Sequence, residues 1–111
     1  MHVDITGRHI EVTEPMQTRV RQHIDRLPRL GDNILYANVT LNMEKGSHRC
    51  EVIVKCHKAD LVAEATSHDM YQSVDAAFAK MERRISRHHD RLVNNRSRAA
   101  QKASEDDKRP E

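Results

Sequence analysis

Long apolar runs are missing from this sequence, and none approaches the ~18–20 residues that a membrane-spanning helix needs. We therefore expect no integral membrane protein and no membrane partner. The first ten residues alternate polar and apolar side chains, which argues against a secretory signal. Two cysteines are too few for a disulfide scaffold, and a reducing cytoplasmic environment is the simplest interpretation.

Glycines and recognisable catalytic groupings are equally scarce. Three isolated glycines cannot form a phosphate-binding loop, and no nucleophile–base or carboxylate pair stands out, so we expect neither an enzyme nor a small-molecule substrate. Eight histidines are scattered without metal-ligand spacing. Cys50 and Cys56 fall about 20 Å apart on one predicted strand, too far to share a metal or a disulfide. We expect no cofactor.

Apolar periodicity predicts strands and helices within one small domain of 111 residues. The predicted strands are residues 2–6, 35–43, 50–56 and 61–66. A first helix begins at Thr13, with Pro15 in its first turn, and Pro28 stops or kinks it. Gly7 is expected to end or bend the first strand, and residues 45–47 and 58–60 to form turns.

The strands and helices each present one apolar face. In the second strand this face comprises Leu35, Ala37, Val39, Leu41 and Met43; in the third it comprises Cys50, Val52, Val54 and Cys56. Helices should therefore cover a single side of the sheet. The predicted fold class is α+β, in the order β-α-β-β-β-α, with a four-stranded mixed sheet and two helices on one face.

The last helix carries the clearest pattern. Asp69 is its expected N-cap, and Gln72 completes a capping-box spacing. The apolar stripe that follows is Val74, Phe78, Met81, Ile85, His88 and Leu92. The stripe stops at Val93, so we expect a folded domain over residues 1–95 and a disordered polar tail over residues 96–111.

Positive charge is concentrated in this last helix. Residues 80–98 carry seven basic and two acidic side chains, a net +5, whereas the remaining residues sum to −3. We call the five residues Lys80, Arg83, Arg84, Arg87 and Arg91 the basic arc, because they share about 100° of the helix surface. Arg19 and Arg26 project from one side of the first helix, and two basic rows could face the same solvent region.

The basic arc favours a phosphate-bearing partner over a charged surface that only aids solubility. Like charges three and four residues apart repel, and selection for solubility alone would intersperse acids. The few aromatic residues provide no pair for stacking bases on the outer face of the sheet, which argues against a single-strand reader. Structured RNA recognised by shape fits best.

Several stretches resemble the ribosome hibernation promoting factor family, also called the ribosome-associated inhibitor or sigma-factor modulation protein family. They are Val3-Asp4-Ile5-Thr6-Gly7-Arg8, Val12-Thr13-Glu14, Asp69-Met70-Tyr71-x-Ser73-Val74-Asp75 and Lys80-Met81-x-Arg83-Arg84-Ile85. The resemblance covers residues 1 to about 95 and implies a fold similar to a double-stranded RNA-binding domain. It further implies a stationary-phase or stress factor, a monomer off the ribosome, with the length of the family's short form.

The resemblance also implies the partner and the contacts. The partner is the small ribosomal subunit and its rRNA, bound in the channel for messenger and transfer RNA, so that translation is blocked. The implied contacts are the basic arc and Arg26, to which the helix pattern adds Arg19. His23 stands where the family often carries Lys or Arg, and it is expected to contact RNA when its imidazole is protonated.

Two alternatives stay open at this stage. One is an interaction module for a transcription sigma factor or RNA polymerase, as the older family name suggests. The other is a generic double-stranded RNA binder, although the sequence lacks the loop-borne lysine cluster that is typical of that class.

Overall fold

Four strands and two helices form the computed structural model of the protein, in which residues 2–29, 34–56 and 59–101 are described; the side chains of residues 29 and 91–101 lie outside the description. In chain order the elements are β1 (His2–Arg8), α1 (Glu14–Ile24), a 3-10 turn (Leu27–Arg29), β2 (Ile34–Glu44), β3 (Ser47–Cys56), β4 (Ala59–Ser67) and α2 (Met70–Gln101). The predicted order β-α-β-β-β-α is confirmed.

The strands form one sheet in the order β1-β2-β3-β4. The β1–β2 pair is parallel and the other two pairs are antiparallel, so the sheet is mixed as predicted. A parallel pair needs a crossover connection, and α1 supplies it. The buried residues of both helices and of the inward strand faces belong to a single core cluster, which places both helices on one face of the sheet.

The inward face of β3 follows the predicted alternation, but that of β2 shifts at its start. Cys50 and Cys56, at the ends of the β3 face, are both buried. In β2, Leu35 is 55% exposed and Ile34 packs against the core instead. A register irregularity between Ile34 and Tyr36 explains the difference, because one irregular step exchanges the inward and outward faces of a strand. Met43, expected inward, is also exposed near the far end of β2.

Strands β1 and β4 are both longer than predicted. Gly7 does not end β1, which continues to Arg8. A Cβ at Gly7 would lie 2.6 Å from the Ile10 carbonyl oxygen, so glycine is required here for close approach of the following segment. Ala59 and Asp60, expected in a turn, already pair with β3, and the β3–β4 connection is correspondingly shorter.

A two-residue turn joins β2 to β3. Glu44 pairs with Ser47, and the intervening Lys45 and Gly46 have φ values of 50° and 81°. Two consecutive positive φ values are the signature of a type I′ turn, whose twist matches that of antiparallel strands. Lysine at the first of these positions is unusual, since asparagine, aspartate and glycine tolerate that conformation better.

The start of α2 is fixed by side-chain hydrogen bonds. Asp69 Oδ1 accepts from the Tyr71 amide at 3.2 Å, which confirms Asp69 as the cap. The Asp69 amide donates to Ser67 Oγ at 3.2 Å, so Ser67 takes the role that the capping box would give to Gln72. Buried Ser73 donates through its Oγ to the His48 carbonyl at 2.6 Å, which ties α2 to β3.

Helix α2 continues to Gln101, beyond the expected end at Val93. Residues 102–111, most of the predicted polar tail, lie outside the described residues, and the domain boundary near residue 95 stays a prediction. Within the described part of the chain, neither helix combines the length and the apolar character that crossing a bilayer demands.

Candidate nucleic-acid interface

The orientation of α2 follows from its buried stripe and from one tether to the sheet. The buried residues of this stripe are Met70, Ser73, Val74, Ala77, Phe78, Met81 and Ile85. On the flank toward β4, the Lys80 ammonium donates to the Glu64 carbonyl oxygen at 2.9 Å. The side of α2 that carries Lys80 therefore faces β4, the edge strand of the sheet.

The basic arc begins on this side of α2 and extends toward solvent. Lys80, Arg83 and Arg84 are exposed, and Arg87 is half-buried. The Arg91 side chain lies outside the described residues, so its place in the arc stays a prediction. Arg83 and Arg84 are the cations that this surface presents most openly, because Lys80 already donates one hydrogen bond to the sheet.

The opposite flank of α2 carries an acid that holds α1. Asp75 Oδ1 lies 2.8 Å from His23 Nε2 and 3.2 Å from Arg19 Nε. The His23 contact is a hydrogen bond, whereas Arg19 Nε makes an ion pair without hydrogen-bond geometry. The Arg19 guanidinium also lies 5.5 Å from the centre of the Tyr71 ring, a cation–π distance. Arg19 is thus engaged within the protein, and 40% of its side chain is exposed.

His23 lies between the two helices. Its ring stacks on the ring of buried Phe78, with centroids 4.9 Å apart and an interplanar angle of 6°. Its Nδ1 lies 3.2 Å from Arg26 Nη2, and its Nε2 reaches Asp75, so both ring nitrogens have partners inside the protein. Only 12% of the His23 side chain is exposed. A direct contact of His23 with RNA stays a prediction that this geometry does not favour.

The basic arc is turned away from the side of α2 that packs on α1, by an angle that differs among its members. At 100° per residue, Arg83 lies about 80° around the axis of α2 from Asp75, which faces α1, and Lys80 and Arg84 lie about 140° and 180° from it in the same direction. That the two rows of positive charge face the same solvent region stays a prediction. Periodicity defined the arc but could not say on which side of α2 the first helix packs.

On the outer face of the sheet, two cations are paired with acids. Arg49 forms an ion pair with Glu64, and Lys55 lies 3.7 Å from Asp60. The Glu64 carboxylate raises the pKa of Arg49 by hydrogen bonding and by its charge. Arg49 and Lys55 are thus paired with acids, whereas Arg83 and Arg84 of the basic arc extend into solvent.

Both cysteine thiols lie in the buried core. Cys50 is buried, and desolvation raises the pKa of its thiol to about 12. Desolvation also raises the pKa of Cys56. Among the described residues, no group of three His, Cys, Asp or Glu side chains is arranged to hold a metal ion.

Residues 3–93 match the family described as "Sigma 54 modulation protein / S30EA ribosomal protein". The chain belongs to this family. A ribosome hibernation promoting factor from Pseudomonas putida is 31% identical over 91 residues, covering 82% of this chain and 89% of the relative. The protein of the same name from Escherichia coli K12 is 29% identical over 92 residues, covering 83% of this chain and 97% of the relative.

Solved structures share the S30EA family fold. The crystal structure of the N-terminal domain of Protein Y from Thermus thermophilus superposes with a TM-score of 0.74 at 27% identity, covering 79% of this chain and 99% of that one. A ribosomal subunit interface protein from Coxiella burnetii also gives a TM-score of 0.74, at 24% identity, and shows the fold alone; the alignment covers 79% of this chain and 97% of that one. The predicted family and fold class are confirmed.

The sequence pattern alone did not identify one residue of this candidate interface. Asp75 belongs to the motif that identified the family, yet it was given no role. The signal was present, because Asp75 is three residues before Phe78, on the flank of the apolar stripe. An acid there can pair with cations of a neighbouring helix. It does so with Arg19, and it also binds the ring of His23.

Proposed function

We propose that this chain is a ribosome hibernation factor that binds the small ribosomal subunit and occupies the channel for messenger and transfer RNA. The observation that carries the proposal is the basic arc on α2, which presents Arg83 and Arg84 to solvent. The hibernation promoting factors from P. putida and E. coli, which this chain resembles over most of their length, support it.

The chemistry of the arc suits the phosphates of folded RNA. Arginine binds phosphate oxygens through two parallel N–H donors, which makes it better than lysine for this contact. From Lys80 to Arg87 the helix rises about 10 Å, enough for several cations to follow one RNA backbone. Contacts of this kind position a protein on its target without reading bases.

The sheet contributes little to base recognition. Tyr36 is stacked against His2, with ring centroids 5.5 Å apart, and its hydroxyl accepts from Asn38 Nδ2 at 3.0 Å. Its ring and hydroxyl are thus already engaged within the protein. This supports recognition of RNA by shape and charge. In this mechanism the protein fills the channel and thereby excludes messenger and transfer RNA.

The site of action that we propose is the cytoplasm, where the ribosomes are, and the conditions are stationary phase or stress. In this mechanism no bond is made or broken. Inhibition lasts as long as the protein occupies the channel, and release restores an intact ribosome. Idle ribosomes are thereby stored.

Charge reversal in the arc tests the proposal. The double variant Arg83→Glu/Arg84→Glu should fail to co-sediment with purified small ribosomal subunits and should no longer inhibit translation in a cell-free reaction. Both side chains are exposed, so the fold should be retained, which circular dichroism and thermal unfolding would verify. If the folded double variant pellets with subunits as the unchanged protein does, the arc is not the binding surface.

A matched control separates the site from net charge. The variant Arg8→Glu/Lys45→Glu changes the charge of the protein by the same amount at two exposed positions, one at the end of β1 and one in the turn between β2 and β3. It should still co-sediment. Two further arms address the alternatives. Binding to RNA polymerase that survives ribonuclease would favour a sigma-factor partner, and equal affinity for a long synthetic duplex would favour a generic double-stranded RNA binder.

A further inference from the structure

We infer that His23 is a positioning residue, which Asp75 holds so that it aims the Arg26 guanidinium at an RNA phosphate. The inference rests on the proposed function, because it concerns how Arg26, in the turn that follows α1, is prepared for RNA. It also assigns a role to Asp75, an acid that would otherwise weaken an anion-binding surface.

The hydrogen bonds determine where the proton of His23 lies. A guanidinium has only donors, so His23 Nδ1, 3.2 Å from Arg26 Nη2, must be the acceptor and carries no proton. The ring proton is therefore on Nε2, which donates to Asp75 Oδ1 at 2.8 Å. The neutral Nε2–H tautomer is the one form that satisfies both contacts. An imidazolium would direct an N–H toward the guanidinium and lose this acceptor.

The acceptor offered to Arg26 is held rigidly. The His23 ring lies flat against Phe78, which is fully buried, and the His23 side chain is only 12% exposed. Asp75 anchors the other edge of the ring from α2 and is itself paired with Arg19. The position of Nδ1 is thus determined by both helices together, whereas Arg26 is exposed at the end of this chain of contacts.

Positioning should strengthen binding by reducing the entropy that is lost when Arg26 is immobilised. Ordering one long side chain at an interface weakens affinity by about 2- to 10-fold, and a side chain that is already oriented avoids part of this loss. The guanidinium has five N–H donors, so four remain for phosphate oxygens after one is given to His23. His23 therefore acts through Arg26 and does not itself contact RNA.

Two amide variants of His23 separate the roles of its nitrogens. The Asn amide lies as far along the side chain as Nδ1, and the Gln amide as far as Nε2. His23→Asn can thus keep an acceptor for Arg26 while losing the bond to Asp75. His23→Gln can keep the bond to Asp75 while losing the acceptor. If the role of His23 were only structural, His23→Gln would not bind RNA more weakly than His23→Asn.

The experiment measures the affinity of the full chain for purified small ribosomal subunits, with both amide substitutions made in the unchanged background and in Arg26→Ala. We expect His23→Gln to weaken binding by no more than about 10-fold, and by less than Arg26→Ala, which also removes the phosphate contact; we expect it to have no further effect when combined with Arg26→Ala. We expect His23→Asn to bind within about twofold of the unchanged protein. Equal losses in both backgrounds, or no loss with His23→Gln, would overturn the inference.

A second measurement needs neither variants nor ribosomes. Nitrogen-15 NMR of the free protein at neutral pH should show His23 as the Nε2–H tautomer, with the shift of an unprotonated nitrogen at Nδ1. The opposite tautomer would refute the arrangement even if an amide variant failed to fold. If the arc double variant binds normally, the proposed function fails, whereas failure confined to the His23 series removes only the positioning role.

Discussion

The salt dependence of binding should change in proportion to the cations removed from the arc. Each phosphate contact that a cation neutralises releases counterions and contributes about 0.7 to 0.9 to the slope of log affinity against log salt. Arg83 and Arg84 are exposed, so each should count fully. The variant Arg83→Ala/Arg84→Ala should therefore reduce the slope by about 1.4 to 1.8.

The expected change in slope can also be stated as a difference in affinity between the unchanged protein and the double variant. When salt is raised from roughly 50 to 200 mM, the unchanged protein should lose about tenfold more affinity than the double variant. The assay is fluorescence anisotropy of labelled protein titrated with small ribosomal subunits in potassium chloride at fixed magnesium. Arg8→Ala/Lys45→Ala is the control and should leave the slope unchanged. Weaker binding of the arc variant at an unaltered slope would refute the idea that these side chains contact phosphates.

Two further predictions concern the fold. Gly7→Ala should lower the free energy of unfolding by about 1–3 kcal/mol in urea titrations, because its Cβ would meet the Ile10 carbonyl at 2.6 Å, where backbone must move; an unchanged midpoint would contradict this. Burial raises the pKa of the Cys50 thiol to about 12, so Cys50 should resist iodoacetamide at pH 8 until the protein unfolds. Since the thiol of the unfolded chain ionises at lower pH than the buried thiol, the free energy of unfolding should fall as pH rises from about 8.5 toward 12. Rapid alkylation of the native protein would contradict the burial of Cys50.

The fold could be predicted because its elements keep their periodicity. Inward alternation in β3 and the helical spacing of Val74, Phe78 and Met81 each identify one element and its buried face. The β2 irregularity could not be predicted, since Ile34 and Leu35 are both apolar and alternation alone cannot choose between them. Glu64, whose carbonyl binds Lys80, was not predicted because backbone acceptors leave no trace in a pattern of side chains.

The candidate site was predicted in part. Composition and the helical wheel were enough to define the basic arc, since all of its members belong to one helix. The arrangement around His23 depends instead on how α1 and α2 pack, and residues 52 positions apart in the chain meet there. No local pattern reports such a meeting. Arg19 and Arg26 could therefore be identified as cations from the sequence, whereas the contacts of Asp75 with Arg19 and His23 could not.

The tether between Lys80 and the Glu64 carbonyl has a consequence for the unbound protein. β4 is the last strand of the sheet, and a free strand edge is a template on which another chain can add and begin to aggregate. A lysine lying against that edge covers one of its acceptors and places a charge where a foreign strand would have to dock. Lys80, which we propose as an RNA contact, should thus also hinder the addition of a foreign strand to the unbound protein, so Lys80→Ala should aggregate more readily than the unchanged protein.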